Sequence, residues 1–246
     1  MKRDVALLVA EAPWFSFKNN RDQASGLPFF TGVKQYLNKN AKKSQLNIYS
    51  CDYYDNNSLY YALSHLTDTE ENIQILYIGG HGDGKRVADA SLNKLSDMVK
   101  EKGRNIKGLI VSSCMAASKD TLADSTSWGI DSARLDIVNG PNWVISYKYS
   151  VNWFESVLLE TAIIKEFASG YIEEGRLNSK DDIMQCFKNA LLSFDLNMPF
   201  AVDNHGNPKT LGESIRFWVR PQGSGSAVNV TEELCDDLSN RQDHEI

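Results

Sequence analysis

The sequence has no concentration of basic residues, and this absence excludes a large class of functions. Its 26 lysines and arginines are outnumbered by 32 acidic residues, giving a formal net charge of −6. Residues 231–246 carry six acids and one base, a net of −5 that leaves only −1 on residues 1–230. Without a basic stripe there is no surface to neutralise the phosphates of a nucleic acid. We therefore expect no nucleic-acid partner.

Cysteines and long apolar runs are also scarce. The four cysteines lie far apart, with no C-x-x-C pair and no histidine at zinc spacing, so we expect neither a metal site nor a cofactor. No stretch approaches the ~20 apolar residues of a membrane span. The apolar run Val5–Ala10 is too short for a signal peptide, and we interpret it as a strand. We therefore expect a cytoplasmic protein with reduced thiols and no membrane contact.

What the sequence does contain is a regular alternation of short apolar runs and amphipathic helical patterns, which is typical of a parallel α/β sheet. A chain of 246 residues, 42% hydrophobic, is long enough to bury a full core. The predicted strands are Val5–Ala10, Leu46–Asp52, Ile73–Ile78, Ile106–Val111, Trp143–Val151 and Ser214–Val219. The predicted fold is a three-layer α/β fold whose six-stranded, mostly parallel sheet is flanked by helices.

The same patterns indicate one domain with a terminal extension. Residues 1–221 contain all the predicted strands, whereas residues 222–246 become Gly/Ser-rich and then acidic. We expect residues 222–246 to form a flexible tail, with about one helical turn at Glu232–Leu238.

Two chemically reactive residues follow successive predicted strands. His81 comes just after the third strand and Cys114 just after the fourth, 33 residues later, which is about the length of one strand–helix–strand crossover. Because such strands are parallel, their carboxyl ends lie on the same edge of the sheet. If the strands are neighbours about 4.8 Å apart, an imidazole and a thiol meet there. This is the arrangement of a nucleophilic thiol and its base.

The residues beside this pair fit acyl-transfer chemistry. Gly82 has no side chain to shield its backbone N–H, and the N–H of Cys114 itself would be a second donor to an oxyanion. Small residues surround the thiol and leave room for a substrate chain: Ser112, Ser113, Ala116 and Ala117.

The two motifs, ILYIGGHGDG at residues 75–84 and GLIVSSCMAA at residues 108–117, resemble those of the caspase-like (clan CD) cysteine peptidases. The similarity is greatest to the bacterial CHAT-type branch, whose last strand resembles SIRFWVRPQG at residues 214–223. The resemblance implies that His81 is the catalytic base, that Cys114 is the nucleophile, and that Gly82 and Cys114 form the oxyanion hole.

The same resemblance implies what the site would act on. Family members pair an extended substrate beside the fifth strand, which makes Tyr147, Ser150 and Trp153 candidate substrate-binding residues. The expected partner is a protein or peptide substrate, with an activating partner or signal. The expected setting is bacterial antiviral defence or stress signalling, and the expected chemistry needs no cofactor.

Two alternative functions stay open at this point. The segment Gly79–Lys85 matches the phosphate-binding pattern G-x-x-x-x-G-K after a strand, although Arg86 stands where a magnesium-binding Ser or Thr is needed. This pattern would make the protein a nucleotide hydrolase. The other alternative is a catalytically silent caspase-like scaffold that only binds partners.

Overall fold

The computed structural model describes residues 4–13, 24–40, 44–131 and 136–242, so residues 243–246, with the acids Asp243 and Glu245, lie outside the described ranges. The strands in chain order are β1 (Val5–Glu11), β2 (Leu46–Asp52), β3 (Ile73–Gly79), β4 (Arg86–Val87), β5 (Ala90–Ser91), β6 (Ile106–Ser112), β7 (Trp128–Asp131), β8 (Asp136–Asn139), β9 (Trp143–Tyr147), β10 (Ser150–Val151), β11 (Pro199–Val202), β12 (Pro208–Thr210), β13 (Ile215–Val219) and β14 (Val228–Asn229).

The helices connect these strands and pack on the central sheet. They are α1 (Leu27–Asn40), α2 (Asn56–Leu66), α3 (Leu92–Lys102), α4 (Trp153–Glu174), α5 (Lys180–Leu191), α6 (Leu211–Ser214) and α7 (Thr231–Gln242), with 3₁₀ turns at Gly103–Asn105 and Asp120–Thr126. Among the helices described, none is long and apolar enough to cross a membrane.

The central sheet has seven strands in the order β14-β13-β9-β6-β3-β1-β2. The pairs from β2 to β9 are parallel, whereas β13 pairs antiparallel with both β9 and β14. The predicted α/β fold with a mostly parallel sheet is confirmed, but the predicted number of six strands is wrong. The seventh strand, β14, contains only two residues, both exposed, so no apolar run marks it in the sequence.

Helices cover both faces of the sheet and give the molecule three layers. One core contains α1, α4, α5 and α7 together with residues such as Leu7, Ile75 and Phe217. The other contains α2 and α3 together with residues such as Leu8 and Leu76. Because both faces are covered, every side chain of β1 is buried, as a near-continuous apolar run predicts.

The fifth predicted strand, Trp143–Val151, is shorter in the structure. β9 ends at Tyr147, and Ser150–Val151 leaves the central sheet to pair antiparallel with β11. The backbone carbonyls of Tyr147 and Tyr149 accept hydrogen bonds from Ala117 and Met115, at 2.8 and 3.1 Å. The loop after β6 therefore hydrogen-bonds to the chain at the end of β9, where β6 itself no longer pairs with it.

The segment after Pro221 is more ordered than the loose tail expected from its composition. Instead of about one turn at Glu232–Leu238, it contains the twelve-residue helix α7. Its buried residues Val230, Leu234 and Leu238 belong to the core that also contains α4 and α5. The acidic residues lie between these apolar positions, so composition alone hides an amphipathic helix.

A buried carboxyl group joins α4 to the sheet. Glu160 is fully buried, and the hydroxyl of Tyr147 donates a hydrogen bond of 2.9 Å to its Oε1. Burial raises the pKa of Glu160 from its usual 4.5 to about 8, an effect that hydrogen bonding from Tyr147 partly offsets. Glu160 is therefore protonated at neutral pH in the folded protein.

Glu160→Gln should change how stability depends on pH. In the wild type the folded state holds a proton that the unfolded state releases above about pH 4.5, so stability falls as pH rises towards 8. The variant avoids this loss and should gain up to a few kcal/mol over the wild type between pH 5 and 8. Urea unfolding at both pH values measures the gain. Glu70→Gln, at an exposed carboxyl, is the control; equal pH dependence in both variants contradicts the assignment.

Leu234→Ala should destabilise the protein if α7 belongs to the core. Leu234 is 0% exposed, so the cavity left by the substitution is expected to cost about 2–5 kcal/mol. Leu192, 60% exposed after α5, provides a matched control whose substitution by Ala should change stability by less than about 0.5 kcal/mol. Equal effects of the two substitutions in thermal unfolding would show that α7 contributes no packing.

Candidate active site

The sheet register places His81 and Cys114 at equivalent positions. β3 and β6 are adjacent and parallel, and Gly79 is paired with Ser112. Each reactive residue lies two positions beyond this pair, on the edge formed by the carboxyl ends of the strands. The expectation that the two strands are neighbours is therefore confirmed.

The two loops beyond these strands pack directly against each other. The N–H of Gly80 donates to the carbonyl of Ser112 at 3.1 Å, which extends the pairing past the last residues of the strands. A Cβ atom on Gly82 would lie 2.2 Å from Oγ of Ser113, 2.3 Å from the carbonyl oxygen of Cys114 and 3.2 Å from its nitrogen. Gly82 is thus required for the close approach of the loops, a reason additional to access for a substrate.

The proposed oxyanion donors are available in this arrangement. Within the described part of the chain, neither the backbone N–H of Gly82 nor that of Cys114 donates a hydrogen bond. Gly82 forms an isolated bridge with Val87, but its hydrogen bonds come from the flanking residues His81 and Asp83. Two neighbouring unused amides are the feature that stabilises an oxyanion.

Strained backbone occurs on both sides of the pair. Of the described non-glycine residues, only Ala88 and Met115 have positive φ, at 50° and 59°. Met115 directly follows Cys114, and the N–H of Ala88 donates to the carbonyl of His81 at 2.6 Å. Such conformations cost free energy of order 1–3 kcal/mol each and tend to occur at functional sites.

The side chains of the pair are accessible. His81 is exposed, and Cys114 is half-buried with its Sγ 3.7 Å from the carbonyl oxygen of Val151. Burial raises the pKa of the Cys186 thiol to about 12 and also raises the pKa of the Cys235 thiol. These two thiols are therefore poor nucleophiles at neutral pH.

Glu11 ends β1 on the same edge and is paired in register with Gly79. Its buried carboxylate accepts hydrogen bonds from the hydroxyl of Ser25 at 2.6 Å and from the N–H of Gly26 at 2.8 Å. Burial raises its pKa, and hydrogen bonds from Ser25 and Gly26 partly counter this. The carboxylate thus ties the segment before α1 to the sheet.

The three predicted substrate-binding residues lie in different environments. Tyr147 is 0% exposed, and its hydroxyl is bonded to Glu160, so its side chain is a core group and not a contact for substrate. The side chain of Tyr147 points into the core because α4 packs on this face of β9. Ser150 is half-buried in β10, paired with Val202. Trp153 is half-buried at the start of α4, with its ring 6.2 Å edge-on from that of Phe29.

Sequence reasoning missed a cavity beside Met115, the residue that follows Cys114. It has a volume of about 220 Å³ and is lined by Met115, Ser118, Lys148, Tyr149, Asp203, Asn204 and His205. The last three belong to the turn between β11 and β12, about 90 residues from Cys114 in sequence, and no local pattern connects them to it. Ser113 was also missed as a site residue: it is 1% exposed, and its Oγ lacks a hydrogen-bond partner at the contact with Gly82.

The loop after β3 does not have the form of a phosphate-binding loop. Such a loop runs into a helix whose N-terminus faces the phosphate, whereas here the β4–β5 hairpin follows and α3 begins only at Leu92. The backbone N–H groups of Lys85 and Arg86 donate to the carboxylate of Asp83 at 2.9 and 2.8 Å, and these bonds help to lower its pKa. Two of the backbone amides at this end of the loop are thus already used by Asp83.

Gly82→Ala should separate the two loops. The added methyl group collides with backbone of Cys114, which cannot rotate away, so we expect a loss of about 1–3 kcal/mol of stability and a changed rate of Cys114 alkylation. Gly32→Ala is the control, since it lies in α1 with no atom within 4 Å of the added Cβ, and should be neutral or stabilising by up to about 1 kcal/mol. If the Gly82→Ala variant has the melting temperature and the alkylation rate of the wild type, the loop contact is refuted.

Comparison with solved structures finds many matches, among them an insect caspase. Caspase-1 from Spodoptera frugiperda is 10% identical to this chain, with 80% of each chain covered and a TM-score of 0.44. No family model matches the sequence, and no curated protein matches it.

Proposed function

We propose that this protein is a cysteine endopeptidase of the caspase-like type, with Cys114 as nucleophile and His81 as general base. The observation that carries the proposal is the register of β3 and β6, which sets both residues two positions beyond the Gly79–Ser112 pair on one sheet edge. The sequence motifs around both residues, which resemble those of caspase-like peptidases, point in the same direction.

The proposed reaction is an acyl transfer in two steps. His81 accepts the thiol proton while Sγ of Cys114 forms a bond to the scissile carbonyl carbon. The carbonyl oxygen becomes an oxyanion, which the amides of Gly82 and Cys114 stabilise. The C–N bond then breaks as His81 returns the proton to the leaving amine, leaving a thioester. Finally, His81 takes a proton from water, hydroxide adds to the thioester, and the thiolate leaves.

The shape of the surroundings supports a peptide substrate. The 220 Å³ cavity lies beside Met115 and has room for one amino-acid side chain. Backbone hydrogen bonds from Ala88 to His81 and from Met115 to Tyr149 order the two loops without a substrate. Such prior ordering reduces the reorganisation that the reaction requires.

The biological setting is proposed from the resemblance in sequence. It suggests a bacterial defence or stress-signalling system, a cytoplasmic location, and activation by a partner or signal. A silent scaffold is disfavoured because the thiol, the imidazole and two unused amides are all retained at one edge.

Cys114→Ala and His81→Ala should each abolish cleavage of a peptide library, with a loss of at least ~10³-fold, since each removes a group that transfers the proton or forms the bond. Cys51→Ala and His65→Ala are the matched controls, because they lie on β2 and α2, outside these two loops, and should keep full activity.

Alkylation of the full-length protein gives an independent readout. Cys114 should react faster than Cys186 and Cys235, whose thiol pKa values are raised by burial. If the wild type cleaves no peptide even with candidate activators, and Cys114 reacts no faster than Cys186, the protease proposal fails and the scaffold alternative gains support.

A further inference from the structure

A second polar cavity lies on the sheet edge opposite to the candidate active site. At this edge the parallel strands β6 and β9 begin and the antiparallel strand β13 ends. Backbone hydrogen bonds hold three residues side by side there: the N–H of Asn142 donates to the carbonyl of Lys107 at 2.8 Å, and the N–H of Arg220 donates to the carbonyl of Asn142 at 2.7 Å.

Arg220 is an unusual cation at this position. It is only 3% exposed, and its guanidinium donates to the carbonyl oxygens of Gly140 and Ser224 at 2.7 and 3.2 Å and, more weakly, to Oδ1 of Asn142 at 3.4 Å. Its Nε has no acceptor. Every acceptor is a neutral oxygen, so hydrogen bonds satisfy part of the group but leave its charge uncompensated.

Lys107 adds a second positive charge to the same cavity. Its ammonium group donates at 3.4 Å to the carbonyl of Arg104, again a neutral oxygen. Burial lowers the pKa of Lys107, and repulsion from Arg220 lowers it further; burial likewise lowers the pKa of Arg220. Within residues 4–13, 24–40, 44–131 and 136–242, neither cation has a salt bridge to a described carboxylate.

A buried cation with a half-buried cation beside it is energetically unfavourable unless an opposite charge compensates them. The cavity that they line has a volume of about 250 Å³, and its other lining residues supply amide, guanidinium and backbone groups and one Ile side chain: Arg104, Ile137, Asn139, Gly140, Asn142, Asn178, Gln222 and Gly223. No described carboxylate lines it. The cavity is therefore rich in positively charged hydrogen-bond donors, although the net charge of the protein is −6.

We propose that this cavity binds the phosphate group of a small molecule through Lys107 and Arg220. A tetrahedral anion can accept hydrogen bonds from donors that converge from several directions, as here from β6 and from the residue that follows β13. The cavity exceeds the size of one phosphate, so part of the attached molecule has room as well. The site is separate from Cys114 and does not depend on the proposed peptidase activity.

Inorganic phosphate is the probe for a first test on the full-length chain, with sodium chloride of equal ionic strength as reference. Phosphate should raise the melting temperature of the wild type more than chloride does, and calorimetry should detect saturable binding. Lys107→Met, which keeps the aliphatic stem, should weaken phosphate binding at least tenfold. Lys94→Met, an exposed lysine of α3, should leave it unchanged.

The same variant also separates a ligand site from a structural role. Without phosphate, Lys107→Met should melt at or above the wild-type temperature, because it removes a desolvated charge that lacks a counterion. Arg220→Lys, which keeps the charge but loses the planar fork, should also weaken binding at least tenfold. The proposal is overturned if phosphate raises the melting temperature of the wild type no more than chloride does. It is also overturned if Lys107→Met binds phosphate with unchanged affinity, or if that variant melts below the wild type without phosphate.

Discussion

The parallel pairing of β3 with β6 is the constraint on which the rest of this structure depends. Gly79 lies opposite Ser112, and the hydrogen bond from Gly80 to Ser112 continues the pairing beyond the strands. Both strands are almost entirely buried, so a shift of one residue would turn core side chains to the wrong face. The hydrophobic core therefore fixes the relation between the loops of His81 and Cys114, which long flexible loops could not do.

This rigid base allows the loops above it to adopt costly conformations. Met115 and Ala88 have left-handed backbone, and Gly82 lies closer to Cys114 than any residue with a side chain could. Each feature is unfavourable by itself and persists because the surrounding sheet and its hydrogen bonds leave no better alternative. Among the described residues, the amides of Gly82 and Cys114 likewise donate no hydrogen bond.

The sequence predicts best those features that depend on buried strands. The strand ends of β3 and β6 are marked by apolar runs, and their common edge follows from the rules for parallel crossovers, so His81 and Cys114 could be identified together. The buried face of α2 was likewise readable from its period. The features that the sequence does not predict depend on contacts between segments that are distant in the chain. Tyr147 is bonded to the buried carboxyl group of Glu160, acidic residues conceal the apolar face of α7, and the turn at Asp203 lines the cavity beside Met115 only because the fold brings it there.

The net charge of the chain does not reveal where positive charges come together in the fold. Lys107 and Arg220 are distant in a chain that is acidic overall, yet the antiparallel return of β13 beside β9 brings them to one cavity. β6 then runs from Lys107 towards Cys114, a span of roughly 20 Å at ~3.3 Å per residue. An anion bound at the first end would stabilise the folded state by mass action, whether or not it changed the chemistry at the other end. β6, which positions the thiol of Cys114, would thus also be the strand that such a ligand stabilises.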